Sequence, residues 1–263
     1  MSTKHTGKLT FLGTGTSQGV PVITCECRVC KSTDTKDKRL RSSVLIQLHN
    51  TIIGIDAGPD FRQQMLRAEV KQLDAILLTH QHKDHIAGLD DVRAFNYQRN
   101  ADFPIYCTPA VETALQREFY YAFEPKPISG VPRFSIQHIE KGLFNVNDNP
   151  IEAIEVWHHR MPVLGFRIGD LAYITDAKTI DDDQKAKLHG LDILVINALH
   201  EYKHSSHLNR EEALELIEEL QPRKAYLTHI SHLFGQHQEI GSRLPSNVFV
   251  AFDGLELSFE YSC

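Results

Sequence analysis

Leu77-Leu78-Thr79-His80-Gln81-His82-Lys83-Asp84-His85 places three histidines and one aspartate within six positions, directly after a short apolar run. Ala75-Ile76-Leu77-Leu78 is continuous and bounded by polar residues, so Asp74 to Thr79 reads as a buried strand. The imidazoles and the carboxylate begin where that strand ends, which is where open α/β sheets place their sites. Together these groups suit zinc, manganese or iron. One or two histidines here would be ordinary solvated loop residues. Four ligand-type groups at H-x-H-x-D-H spacing point instead to a metal, since clustered imidazoles otherwise repel one another once charged.

Two more apolar segments end in the same way. Ile174-Thr175-Asp176 and Leu227-Thr228-His229 repeat the pattern of Leu78-Thr79-His80. If the three strands are neighbours in a sheet, His80, Asp176 and His229 converge on one rim. His158-His159 offers a further donor before the strand at Leu164. Adjacent residues of an extended segment face opposite ways, so one of the pair faces the metals and spacing leaves open which. Cys25-Glu26-Cys27-Arg28-Val29-Cys30 carries three thiols in six residues and suits a structural zinc site that needs one more ligand. Cys107 and Cys263, being isolated, read as inert core residues.

The remaining chain reads as alternating strands and helices. Lys8 to Leu12 is an opening strand that runs into Gly13-Thr14-Gly15-Thr16-Ser17-Gln18-Gly19, a tight turn that fits neither the Walker nor the full dinucleotide pattern. Ser43 to Leu48 and Thr51 to Asp56 form a hairpin. Asp56 then either fixes a ligand histidine or caps the turn before a helix near Phe61. A helix over Gly88 to Tyr97, a strand at Phe103 to Cys107 and a helix over Val111 to Phe119 follow, before a break at Glu124-Pro125-Lys126-Pro127. Strands are expected at Phe134–Ile139, Ile151–Val156, Leu164–Ile168, Leu171–Thr175, Asp192–Ile196, Lys224–Thr228, Val248–Phe252 and Leu255–Tyr261, with Asn145 to Pro150 as a turn-rich connector. Asn209 and Glu212 form a capping box ahead of the helical stripe Ala213, Leu216, Ile217 and Leu220.

The 263 residues are 41% hydrophobic, enough for a sizeable core. A formal net charge of -6 does not favour a general grip on nucleic acid. Lys36, Lys38, Arg39 and Arg41 form a local basic run, read as a solvated loop able to contact a phosphate. The polar start Met1 to Lys8 lacks a signal-peptide core, and no run approaches a membrane span. The expectation is a cytoplasmic protein with no membrane partner, in which an odd number of cysteines makes no disulfide framework.

His80, His82, Asp84 and His85, then His159, Asp176 and His229, resemble the ligand set of the metallo-β-lactamase superfamily. That resemblance implies an α/β fold, the αβ/βα four-layer sandwich, with a dinuclear metal centre at one edge. It implies that His80, His82 and His159 hold one metal, that Asp84, His85 and His229 hold the other, and that Asp176 bridges them. His159 rather than His158 matches by its distance to Gly165. An aspartate at 176, where true β-lactamases carry cysteine, argues against β-lactam hydrolysis.

Gly13-Thr14-Gly15, Gln18-Gly19-Val20-Pro21, the cysteine triplet and Thr228-His229-Ile230-Ser231-His232 further resemble the PhnP-type phosphodiesterases. This implies a structural zinc on Cys25, Cys27, Cys30 and His232, and two catalytic zinc or manganese ions. It also implies His207 as general acid, with Asp84 serving the reaction beside it. The implied substrate is a small, cyclic phosphodiester such as phosphoribosyl 1,2-cyclic phosphate. One domain over residues 1–263 is expected, with a zinc-binding loop at about residues 20–42 serving as a wall of the site or as the contact of a homodimer. The same donor set would also serve a tRNA 3′-processing endonuclease, for which a basic or glycine-rich arm is missing, or a zinc-stabilised binding protein without catalysis.

Overall fold

The computed structural model describes residues 4–124 and 129–262. The expectations made for Met1 to Thr3, for Pro125, Lys126 and Pro127, and for Cys263 lie outside the described residues. In chain order the strands are β1 (Lys4–Gly13), β2 (Ser43–Leu48), β3 (Thr51–Ile55), β4 (Ala75–Leu77), β5 (Phe103–Cys107), β6 (Phe134–His138), β7 (Gly142–Val146), β8 (Asn149–His158), β9 (Met161–Ile168), β10 (Leu171–Tyr173), β11 (Ile193–Asn197), β12 (Lys224–Thr228), β13 (Val248–Val250) and β14 (Glu256–Ser262). They form two sheets, ordered β14-β1-β2-β3-β4-β5-β6 and β13-β12-β11-β10-β9-β8-β7. Each sheet is antiparallel on one side and parallel on the other. The change falls at β3–β4 in the first and at β10–β11 in the second.

Four layers follow from residue alternation, because successive side chains of a strand face opposite ways. Val44, Ile46 and Leu48 of β2, Ala75 and Leu77 of β4, and Ile193 and Val195 of β11 meet in the core between the sheets. Their neighbours face outward under helices. Leu45 and Ile76 pack with Phe61 and Met65 of the helix Phe61–Arg67 and with Val111 and Leu115 of the helix Pro109–Glu118. Leu194 and Ile196 pack with Ala213, Leu216, Ile217 and Leu220 of the helix Arg210–Leu220. That helix starts at the expected capping box, with Asn209 accepting from Glu212 N and Glu212 accepting from Asn209 N. Buried on both faces, the parallel strands read as continuous apolar runs.

Two sequence expectations change. The connector at Asn145 to Pro150 is mostly strand: β7 and β8 pair up to Val146–Asn149, which leaves Asn147-Asp148 as the whole turn. The basic run is not a free patch. Arg39 is buried and donates to Thr14 Oγ1 at 2.8 Å and Ala251 O at 2.6 Å. Arg41 pairs with Asp60 at 3.1 Å, and Lys38 Nζ donates to Cys30 O at 2.9 Å. Arg39 and Arg41 anchor the segment between β1 and β2 through partners remote in sequence, whereas Lys38 bonds within the segment and Lys36 is exposed.

Gly58 shows how closely that frame is packed against the β4 exit. A Cβ there would lie 2.0 Å from Asp84 O, a backbone atom that cannot step aside. Gly58→Ala is expected to cost about 1–3 kcal/mol. The check is the thermal midpoint together with metal content by elemental analysis, both of which should fall; an unchanged midpoint would contradict the close approach.

Candidate active site

The β4 exit is organised by a residue from β3. Asp56, fully buried, follows the last residue of β3 in a left-handed conformation at φ +64°. Its carboxylate accepts from Thr79 N at 2.9 Å, from Thr79 Oγ1 at 2.9 Å and from His85 Nδ1 at 2.6 Å. With the Thr79 hydroxyl proton committed to Asp56, its oxygen accepts from His80 Nδ1 at 2.9 Å. One carboxylate therefore sets the tautomer of two histidines and leaves Nε2 of each as the free donor atom. The suggestion that Asp56 fixes a ligand histidine describes its contacts.

Asp176 and His229 leave β10 and β12 in the second sheet with β11 between them, while His80 leaves β4 in the first. The three exits thus converge across the two sheets, not along one. Leu164 N of β9 donates to Thr79 O at 3.0 Å and joins the sheets at this point. Asp176 and His229 are also left-handed, at φ +56° and +54°. Thr175 Oγ1 donates to Asp176 Oδ2 at 2.7 Å. His85 Nε2 lies 3.1 Å from Asp84 Oδ2 and 3.3 Å from Asp176 Oδ2, and His229 Nδ1 lies 3.3 Å from Asp176 Oδ2.

The doublet is resolved in favour of His158, which corrects the expectation for His159. β8 and β9 pair up to His158–Met161, so His159-Arg160 is a two-residue turn. His159 takes φ +58° there and is exposed at the turn tip. His158 is the last strand residue and points inward. Its Nδ1 lies 3.0 Å from Asp176 O; a carbonyl only accepts, so Nδ1 carries the proton and Nε2 is free. Its ring stands 5.1 Å from that of His82 and 4.5 Å from that of His207. His82 is the exposed member of the group, with Nδ1 at 3.0 Å from His80 Nε2.

His207 reaches the same cluster from the loop before Arg210–Leu220. It stacks on His229 at 5.0 Å and 22°, and its Nδ1 lies 3.7 Å from Asp176 Oδ1. His204 was not anticipated. Its ring lies 5.2 Å from His207 and 5.8 Å from His200. The sequence signal was the His204-x-x-His207 spacing.

Charge follows burial. Burial pulls His80 well below the ordinary imidazole range, with positive neighbours such as His85 adding to it. Burial would do the same to His85, but the carboxylates of Asp56, Asp176 and Asp84 outweigh it and hold that imidazole well above its usual value. Burial opposes ionisation of Asp176, yet His229 and His85 keep it well below the carboxylate range. Burial, then repulsion from His229, pulls His207 down to about 3.

Three adjoining donor sets result: His80, His85 and Asp176; Asp84, His85 and His229; His158, Asp176 and His207. Within each, one donor atom per residue lies within 4.8 Å of the others. Asp176 and His85 each belong to two sets. His85 Nε2 and His207 Nδ1 are buried without a hydrogen-bond partner, and such orphaned atoms aimed at carboxylates fit divalent cations. Cys25, Cys27, Cys30 and His232 form a fourth set. Cys25 Sγ is 3.2 Å and Cys27 Sγ 3.5 Å from His232 Nδ1. Burial disfavours ionising Cys27, but hydrogen bonds from Cys30 N and the neighbouring side chains lower it to about 6, while burial pushes Cys30 up to about 11.

A sequence model of the beta-lactamase superfamily domain matches residues 51–230. The chain superposes on the crystal structure of a diphosphatase from the PhnP family with a TM-score of 0.93 and 37% identity, covering 99% of this chain and 100% of that one. A Porphyromonas gingivalis protein named octanoyltransferase is 39% identical over 249 residues, which is 94% of this chain but 50% of that protein; the chain thus spans half the length of this relative. A ribonuclease Z from Brevibacillus brevis is 28% identical over 118 residues, 43% of this chain and 36% of that protein.

Exchanging the two members of the doublet separates their roles. His158→Ala should lose metal from the cluster by elemental analysis, whereas His159→Ala should keep its full complement. The reverse pattern would return the ligand role to His159.

Proposed function

The chain belongs to the PhnP family of the metallo-β-lactamase superfamily, and from this premise we propose that it hydrolyses a small phosphodiester, cyclic in the simplest case. The observation that carries the reading is the chain of three donor sets linked by His85 and by Asp176, with His207 in the last of them. His80, His82 and His158 would hold one divalent cation, zinc or manganese, Asp84, His85 and His229 the second, and Asp176 both. Bound there, such a pair supplies acidified water and neutralises phosphate oxygens. Cys25, Cys27, Cys30 and His232 would hold a structural zinc.

The protein's own groups do the rest. Asp56, through Thr79 and directly, keeps His80 and His85 in the orientation the site needs. Asp84 stays ionised, since His85 and His229 outweigh the cost of its burial, so it can hold a water by accepting a hydrogen bond. His207 is neutral in the free site. An anionic phosphate entering beside it acts opposite to burial and draws a proton onto the ring. His207 then donates to the leaving oxygen, a role worth about 10²–10⁴ in rate.

The PhnP-family relative is a diphosphatase, an activity that also cleaves a P–O bond, so a diphosphate is the second substrate class supported. A tRNA-processing role is less well supported. Three of the four cations that could grip a backbone, Lys38, Arg39 and Arg41, are engaged by Cys30, Thr14 and Asp60, and the Brevibacillus brevis ribonuclease Z is 28% identical over 118 residues where the PhnP-family structure is 37% identical over 99% of the chain. For octanoyl transfer, half of the named relative lies outside the match, and the cluster here contains imidazoles and carboxylates alone.

The metal-loaded protein is expected to cleave bis(p-nitrophenyl) phosphate and a small cyclic phosphodiester, and to leave pre-tRNA intact. Cleavage of pre-tRNA alone would replace this reading. Asp176→Ala should lose at least one catalytic metal by elemental analysis, and undiminished content would contradict its shared position. His207→Ala should keep its metals and lose about 10²–10⁴ in kcat; full turnover would remove it from the reaction.

A further inference from the structure

His204 belongs to no donor set, yet its ring lies beside that of His207. The loop between β11 and the helix Arg210–Leu220 carries His200, His204 and His207, and the three rings form a row: His207 to His204 is 5.2 Å and His204 to His200 is 5.8 Å. Beyond His207 the row continues inward to His158 at 4.5 Å and His229 at 5.0 Å. The row therefore runs from the cluster through half-buried His204 to buried His200.

Each outer ring is fixed by its own loop. Ser206 N donates to His204 Nδ1 at 3.3 Å, and Tyr202 N donates to His200 Nδ1 at 3.1 Å. A backbone N–H only donates, so Nδ1 of each ring is an acceptor and the proton of the neutral ring sits on Nε2. Burial and the nearby His200, His158 and Lys178 favour that neutral form for His204. His204 is half-buried, and among the described residues its Nε2–H has no partner. A donor fixed in one tautomer, held beside the proposed proton donor and left without an acceptor, is a group prepared for a ligand oxygen.

We infer that His204 contacts the leaving group, donating from Nε2 to an oxygen of that group other than the scissile one. The inference rests on the phosphodiesterase reading and narrows its substrate. Two rings 5.2 Å apart suit two oxygens of one small substituent, so the leaving group should be a sugar or polyol that carries a hydroxyl near the scissile oxygen. A simple alkyl or aryl alcohol would leave His204 unused. The step itself is unchanged: water adds to phosphorus and gives up a proton to solvent, the P–O bond to the sugar breaks, and His207, protonated on substrate entry, donates its proton to the departing oxygen.

The test compares His204→Ala and His204→Gln with the unaltered protein, all metal-loaded and verified for equal metal content. Substrates are a ribose-based cyclic phosphodiester and bis(p-nitrophenyl) phosphate. His204→Ala should lower kcat/KM for the ribose ester about tenfold more than for the aryl ester, and His204→Gln, which retains an N–H donor, should recover part of that difference. Equal losses on both substrates, or none, would overturn the inference. If the unaltered protein cleaves neither substrate, the phosphodiesterase reading itself fails. Calorimetric binding of the ribose ester then decides for His204 alone: affinity weakened about tenfold in His204→Ala supports the contact, and equal affinity removes it.

Discussion

Everything at the catalytic edge depends on where the Asp56 carboxylate puts its lone pairs. Both oxygens are buried, and both accept from the β4 exit. An ionised carboxylate without water is costly unless it is fully bonded. Thr79 and His85 supply those bonds, and in doing so they lose their own rotational choice. The stretch Thr79–His85 would otherwise be a polar loop with several conformations. It is held in one by a residue 23 positions earlier in the chain, through β3–β4 pairing of Ile55 with Leu77.

The same economy of backbone appears three times. Asp56, Asp176 and His229 all leave their strands in left-handed conformations, at a cost on the order of 1 kcal/mol each. An extended residue in those places would continue the strand and its alternation of faces, and would not turn the chain out of the sheet at that point. Aspartate tolerates this region better than most residues, and histidine is also enriched there. The strain is spread over the rim, and the two-sided apolar cores beneath it hold the strands in place.

Strand exits, the capping box and the cysteine triplet were legible because each is a local pattern with one physical reading; His232, 207 residues from Cys25, came from the family resemblance alone. The doublet was not. Alternation correctly demanded that one of His158 and His159 face outward, but the choice depended on where β8 stops. A two-residue turn begins at His159, and nothing in His159-Arg160 is a strong turn signal of the glycine or asparagine kind. β7 escaped because Asn145 and Asn147 look like turn residues, and only pairing with Pro150 and Ile151 makes Asn145 and Phe144 strand. The burial of Arg39 was equally invisible. Its partners Thr14 and Ala251 lie 25 and 212 residues away, so the run looked like solvated charge. The site was therefore readable in its residue types and mostly in its members; what was missing came from contacts of long sequence separation.

His229 and His232 share one short loop, pinned at Ile230 by hydrogen bonds to Thr14 and Thr16. Any free energy spent in ordering that loop is common to both ends. An ion held by the cysteines would therefore raise the affinity of the catalytic cluster without touching it, and by thermodynamic linkage ions at the cluster would raise that of the cysteines by the same factor. On that account the two centres would form one cooperative binding unit, each with one affinity when the other is empty and a higher one when it is filled.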